Sequence, residues 1–153
     1  MDIVKAGLED AEEILALQKA AYESEGRLYG DFTIPPLTQT LEEIKEDFDR
    51  QLFLEAVEEG RIVGSVRAYE KDGTCFVGRL IVHPDFQDRG IGSRLMEEVE
   101  ERFEDVERFR LFTGHLSDKP LHIYAKKGYS IYRTEPVHDN LTLVYLEKRR
   151  SEQ

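Results

Sequence analysis

The chain reads as one α/β domain of the α+β type. Three observations predict it. Apolar segments follow the order β-α-α-β-β-β-α-β-α-β-β, in which helices and strands are interspersed. Residues 53 to 82 hold three strand-like runs joined by the short turns Glu59-Gly60 and Asp72-Gly73, the pattern of an antiparallel meander. The 153 residues, 40% hydrophobic and 35% charged, suit one globular core, with no repeat, low-complexity tract or linker to divide them. Residues 1–150 are read as the domain and 151–153 as a short tail.

Ile3 and Val4 open as a strand, and Gly7 caps a helix expected over residues 9–22, with Ala11, Ile14, Leu15, Gln18, Ala21 and Tyr22 along one side. Residues 23–36 carry two glycines and Pro35-Pro36 and are expected to form a loop long enough to serve a function. Thr40-Leu41-Glu42-Glu43 is a capping box for a second helix, whose apolar face runs Leu41, Ile44, Phe48 and Leu52. Strands are expected at 53–57, 62–69 and 74–82, the last stopped by Pro84.

After Gly92 a third helix places Leu95, Val99 and Phe103 at i, i+4 and i+8, with an acidic outer face from Glu97 to Glu101. Residues 108–114 form a buried strand in which Phe109, Leu111 and Thr113 alternate against Arg110 and Phe112. Ser117 or Asp118 caps a short helix that tolerates Pro120 in its first turn and ends at Gly128. Tyr129–Arg133 and Leu141–Leu146 close the chain as a strand pair around residues 135–140.

The segment richest in chemical meaning is Leu80-Ile81-Val82-His83-Pro84-Asp85-Phe86-Gln87-Asp88-Arg89-Gly90-Ile91-Gly92-Ser93-Arg94-Leu95. A strand, a glycine-bearing turn and a helix start aim free backbone N–H groups and the positive end of a helix dipole at one point. That arrangement favours a phosphate. A side chain at Gly90 or Gly92 would hold a pyrophosphate away from those donors. Other phosphate motifs fit worse: position 95 is Leu where the dinucleotide fingerprint continues with Gly, and no Gly-Lys-Ser/Thr occurs.

With Gln87-Asp88-Arg89-Gly90-Ile91-Gly92 and Ile123-Tyr124-Ala125-Lys126-Lys127-Gly128-Tyr129 in view, the chain resembles the GNAT superfamily of acetyl-CoA-dependent N-acetyltransferases over nearly its full length. The resemblance implies a central mixed, mostly antiparallel sheet of six to seven strands, flanked by about four helices and splayed between the fourth and fifth strands. It implies that pantetheine borrows free backbone groups of Leu80, Ile81 and Val82. The pyrophosphate would lie over the amides of Gln87, Asp88, Arg89, Gly90, Ile91, Gly92 and Ser93, and Arg89 and Arg94 would add positive charge.

Tyr124 stands where the family often carries a tyrosine near the CoA sulfur. A phenol titrates above a thiol, so it stays protonated and can donate to the thiolate expelled from a tetrahedral intermediate. Family members commonly carry Asn or Ala ahead of this tyrosine. This chain has Ser117 and Pro120, and Ser117 either replaces the asparagine's cofactor contact or caps the helix.

An alkylammonium must lose a proton before it attacks a thioester. The sequence does not single out the base. Tyr22, Glu25, Tyr29 and Asp31 lie in the segment where this family usually sets specificity, and Glu25 is the favoured residue for substrate contact or proton relay, with Tyr29 beside it. His83, at the end of the strand, is a weaker candidate. The acceptor is left open among a polyamine, an amino acid, an aminoglycoside-like amine and a protein amino group.

Composition sets outer bounds. A net charge of −11 disfavours nucleic acid as a partner and is compatible with a cationic amine. Four scattered histidines and one cysteine give no metal-ligand spacing, so no metal is expected, and Cys75 reads as a buried, inert thiol. No apolar run suggests a membrane span and no signal segment precedes Met1-Asp2-Ile3, so a cytoplasmic protein is expected. A homodimer is left open. The alternative function is a non-catalytic, acetyl-CoA-binding regulatory domain; a purely acidic scaffold is a remoter one.

Overall fold

The computed structural model describes residues 1–150. The tail expected at 151–153 lies outside the described residues. Strands β1 (Asp2–Lys5), β2 (Leu52–Glu58), β3 (Arg61–Lys71), β4 (Thr74–Val82), β5 (Arg108–Gly114), β6 (Ser130–His138) and β7 (Leu141–Arg149) form one sheet in the order β1-β2-β3-β4-β5-β7-β6. Helices α1 (Ala11–Tyr29) and α3 (Leu41–Arg50) pack on one face, with the single-turn α2 (Pro35–Thr38) between them in sequence. Helices α4 (Ile91–Arg102) and α5 (Asp118–Lys126) cover the other face.

Each face has its own apolar core. Leu54, Val66, Cys75, Val77 and Phe109 meet Leu95, Met96 and Val99 of α4. Phe53, Ile62 and Ile81 meet Ile14 of α1 and Ile44 of α3. Cys75 is buried and free, and burial pushes its thiol up to about 12, so it stays an unreactive core residue.

The sheet is antiparallel except where β4 meets β5. That parallel pair holds only over Thr74–Arg108, Cys75–Phe109 and Phe76–Arg110. Beyond Phe76 the two strands share no ladder, which is the splay the resemblance implied. A bulge in β4 accompanies it. Arg67 pairs with Gly78 and Ser65 with Ile81, so two residues of β4 oppose one of β3, and Arg79 takes the left-handed conformation (φ 50). The extra residue flips the side-chain alternation. Cys75 and Val77 face α4, whereas Ile81 faces α1 and α3, and Leu80 and Val82 now pack toward α4.

Several expectations need correction. Helix α1 begins after a 3₁₀ turn at Leu8–Asp10 and runs to Tyr29, so most of the loop expected over 23–36 is helical. Gly26 sits inside the helix because a Cβ there would press on the Phe32 ring, and Gly30, at φ 63, is the residue that stops it. Leu52 belongs to β2 rather than to the helix before it. The closing hairpin is longer than expected, with strand through His138 and a turn at Asp139-Asn140. Pro136 is tolerated because β6 is an edge strand.

Candidate active site

The opened sheet creates two clefts that meet at one end of α1. The first, about 1120 Å³, lies between the end of β4, the start of α4, α5 and α1. Its lining includes Leu80, Ile81, Val82, Gln87, Asp88, Gly90, Ile91, Gly92, Ser93 and Ser117. Ten of the residues expected to contact cofactor are thus brought together.

Gly90 is the N-cap of α4 at φ 79, and a Cβ built there meets nothing within 4 Å. Its side-chain position therefore opens onto free space, while the α4 amides behind it lack helical partners. Gly92 has a different reason to be glycine: a Cβ there would come within 3.1 Å of Ile123, which ties α4 closely to α5. A glycine-lined turn at a helix N-terminus beside a long cleft fits a pyrophosphate-bearing group, and the free edges of β4 fit its extended arm.

Arg89 is placed differently from expectation. Its side chain does not line the cleft; the guanidinium lies over the Phe86 ring at 4.9 Å and reaches the Asp85 carbonyl. Lys119 and Lys126 of α5 line this cleft instead, and Lys119 Nζ donates to Gln87 and Asp88, bridging the turn to α5. The sequence offers no signal for Lys119, because the bridge spans 31 residues and depends on how α5 docks.

The second cleft, about 860 Å³, lies over β3, β4, β5 and β7 on the α1 side. Aromatic rings of Tyr69, Phe76, Phe112, Tyr132 and Tyr145 line it, together with Arg67, Arg79 and Arg110. Tyr22, Glu25 and Ser117 line both clefts. They mark the junction. Glu25 and Tyr29 reach it from the last turns of α1, on rigid helix rather than on the loop expected.

A directional chain of hydrogen bonds ends on Glu25. The Leu116 amide donates to the Tyr29 hydroxyl at 2.9 Å, Tyr29 and Ser117 hydroxyls lie 2.7 Å apart, and Ser117 Oγ donates to Glu25 Oε2 at 2.8 Å. Ser117 has one hydrogen and spends it on the carboxylate, so Tyr29 is the donor to Ser117. Gly114 makes room for this, since any Cβ there would collide with the Tyr29 hydroxyl. Ser117 heads α5 but makes no capping bond, which corrects the capping alternative. Burial raises the Glu25 pKa above the usual carboxylate range and the Ser117 bond lowers it in part.

Tyr124 is buried and lines neither cleft. Its ring packs 5.9 Å from Tyr129, and burial, with Tyr22 and Glu25 adding to it, holds its phenol well above the ordinary value. Tyr22, which does line both clefts, is likewise pushed up, to about 12, by burial against the opposing pull of Arg79. His122 lines the first cleft, and the other three histidines are tied into hydrogen bonds. His83 lines neither cleft: its Nδ1 accepts from the Asp85 amide and its Nε2 lies 3.1 Å from the Arg61 guanidinium. His138 pairs with Asp31, and His115 accepts from the Thr142 amide. No cluster of metal ligands occurs among the described residues.

Residues 12–129 match the Acetyltransferase (GNAT) family. The chain belongs to that family, and with it to the acyltransferases. Among curated proteins it is 31% identical over 134 residues to the UPF0157 protein YqkA of Bacillus subtilis, a match covering 87% of this chain and 38% of that protein. The chain thus spans little more than a third of that relative's length.

Among solved structures the fold is similar to the PaiA N-acetyltransferase of Thermoplasma acidophilum in complex with coenzyme A. The TM-score is 0.81 at 17% identity, covering 97% of this chain and 98% of that one. The ribosomal-protein-S18-alanine N-acetyltransferase of Escherichia coli gives a TM-score of 0.82 at 14% identity, covering 99% and 95%. YncA of Salmonella typhimurium, solved with its cofactor acetyl-CoA, gives 0.79 at 14%, covering 100% and 95%. The expected architecture and family agree with these findings. No described helix is long and apolar enough to cross a membrane.

Proposed function

We propose that the protein is an N-acetyltransferase that moves an acetyl group from acetyl-CoA to a primary amine by direct attack. One observation carries this reading. Glu25, a carboxylate of raised pKa, stands where a cleft suited to a phosphate-bearing cofactor opens into a second, aromatic-lined cleft suited to an acceptor. A binding domain has no need of a base at that junction.

Bound acetyl-CoA supplies a thioester whose carbonyl carbon accepts the amine. The amides of Gln87 to Ser93 and the α4 dipole hold the diphosphate, with Gly90 leaving room for close approach. Glu25 removes the ammonium proton; its raised pKa brings it nearer to neutral pH, where a general base is most effective. The Tyr29–Ser117 chain orients that carboxylate. The departing sulfur would take its proton from a buried phenol held protonated above its ordinary pKa; Tyr124, the residue expected in this role, lies behind the linings of both clefts. Tyr22 is the second candidate for this acid, favoured by its place on both cleft linings.

The test is CoA thiol release with a panel of primary amines, in wild type and in Glu25→Gln, Tyr124→Phe and Tyr22→Phe. Glu25→Gln is expected to lower kcat about 10²- to 10⁴-fold. The tyrosine whose loss slows single-turnover transfer is the acid, and because a thiolate leaves readily the effect stays modest. Tight acetyl-CoA binding with no thiol release for any amine returns the protein to a regulatory binding domain.

A further inference from the structure

The protein as a whole is acidic, yet the acceptor cleft is not. Three arginines line it, and two of them are matched by acids. Arg110 pairs with Glu147 at 2.7 Å and Arg67 with Asp47 at 2.7 Å. Arg79 is different. Its one hydrogen bond goes to the neutral side-chain carbonyl of Gln39 at 3.0 Å, and no carboxylate lies within 4 Å of it among the described residues. The same Gln39 oxygen already accepts from Gln18 and faces Arg67. Gln39 thus links Arg79 to the Arg67–Asp47 pair, and the Arg67 pKa is lowered first by burial and then by the nearby charge of Arg79.

The backbone under Arg79 is also unusual. It is the bulge residue of β4, at φ 50, a conformation that non-glycine residues rarely adopt. Bulges re-aim side chains, and this one stands Arg79 in the acceptor cleft on the face away from α4. A guanidinium carries five donors, of which one is used here. Tyr22, Glu25 and Arg79 all line this cleft, so a cation and a carboxylate face the same space.

We propose that Arg79 binds the carboxylate of an acceptor carrying amine and carboxylate close together, making the substrate a free amino acid rather than a polyamine, an aminoglycoside-like amine or an internal protein amine. This rests on the N-acetyltransferase reading above. The amine goes to Glu25, the carboxylate to Arg79, and the carbon between them lies over Tyr22. The rings of Phe112 and Tyr69, both substantially exposed in the free protein, form walls for the amino-acid side chain. Planar, bidentate recognition of a carboxylate is what an arginine supplies and a lysine does not.

The test is steady-state CoA release with the twenty common L-amino acids, each against its own C-terminal amide, and with phenethylamine and spermidine, in wild type, Arg79→Gln and Arg79→Lys. At least one free amino acid is expected to exceed its amide in kcat/KM by about 10- to 100-fold, although the amide has the less basic and more readily deprotonated amine. Arg79→Gln is expected to bring that ratio down at least tenfold, and Arg79→Lys to keep only part of it. A thermal shift with CoA, whose cleft excludes Arg79, reports whether the variants are folded.

Turnover confined to amides, phenethylamine or spermidine, or a ratio unmoved by Arg79→Gln in folded protein, overturns the proposal and leaves the N-acetyltransferase reading standing. Failure of every amine to release CoA overturns both.

Discussion

Ser117→Ala separates a base that is tuned by its surroundings from a carboxylate that is merely nearby. The mutation removes the hydroxyl that donates to Glu25 Oε2 at 2.8 Å and nothing else near the carboxylate. That bond favours the ionised form and offsets part of the desolvation that raises the Glu25 pKa. A hydrogen bond to a charged group contributes about 1.5–3 kcal/mol, and 1.36 kcal/mol corresponds to one pKa unit. Glu25 is only partly buried, so solvent screens the loss to roughly half of that range.

The acidic limb of kcat/KM reports the pKa of the base in the free enzyme. In Ser117→Ala it is expected to move to higher pH, because a carboxylate with a higher pKa is protonated, and inactive, over a wider acidic range. The assay is thiol release from acetyl-CoA between pH 5 and 9 with one saturable amine. Glu25→Gln serves as the reference and should lack that limb. A Ser117→Ala profile that stays in place, or moves to lower pH, refutes the assignment of Glu25 as the base held by this chain.

Three further outcomes follow from the same geometry. Gly114→Ala should destabilise the protein by about 1–3 kcal/mol in urea melts and depress transfer, since its methyl group displaces the Tyr29 hydroxyl; wild-type stability would show that Tyr29 is not wedged there. Gly90→Val should weaken CoA binding, measured calorimetrically, by at least tenfold, through both the positive φ and the filled space over the α4 amides.

Glu55→Gln should stabilise the fold in a pH-dependent way. Burial raises the Glu55 pKa to about 8, with Asp10, Glu13 and Glu9 adding to it. The folded form thus holds a proton that the unfolded chain has shed between about pH 4.5 and 8, so wild-type stability falls as pH rises through that window. Thermal melts of Glu55→Gln should lack this fall and gain on the order of 2–4 kcal/mol at pH 8. Parallel melting profiles for the two proteins would contradict it.

The sequence carried the local features well and the long-range ones poorly. The Thr40–Glu43 capping box is present in full, β4 and β5 have the expected limits, and α4 opens at the glycine turn, though at Ile91, with Gly92 inside the helix rather than before it. Each of these is encoded within a few neighbouring residues. The extension of α1 was hidden because Gly26 looks like a breaker, and only its packing against Phe32, a tertiary contact, explains it. The bulge at Arg79 left no trace because arginine is not a residue that announces a positive φ.

The site divides along the same line. The cofactor turn is contiguous in sequence and its members were legible. Glu25, Tyr29 and Ser117 were each noticed, but their union spans 92 residues and exists only once α5 docks against α1. A serine ahead of α5 reads locally as a helix cap or a cofactor contact, whereas its hydroxyl donates to Glu25. Lys119 and Arg79 escaped notice for the same reason, since each gains its meaning from a partner, or the lack of one, far away in the chain.

The most direct measurement is a crystal structure of the protein soaked with CoA and a slow acceptor analogue. The account predicts diphosphate oxygens within hydrogen-bond distance of the amides between Gln87 and Ser93, and the CoA sulfur at the meeting of the two clefts, within one water of the Glu25 carboxylate. Density for the nucleotide outside the β4–α4 turn, or a sulfur remote from Glu25, would contradict it.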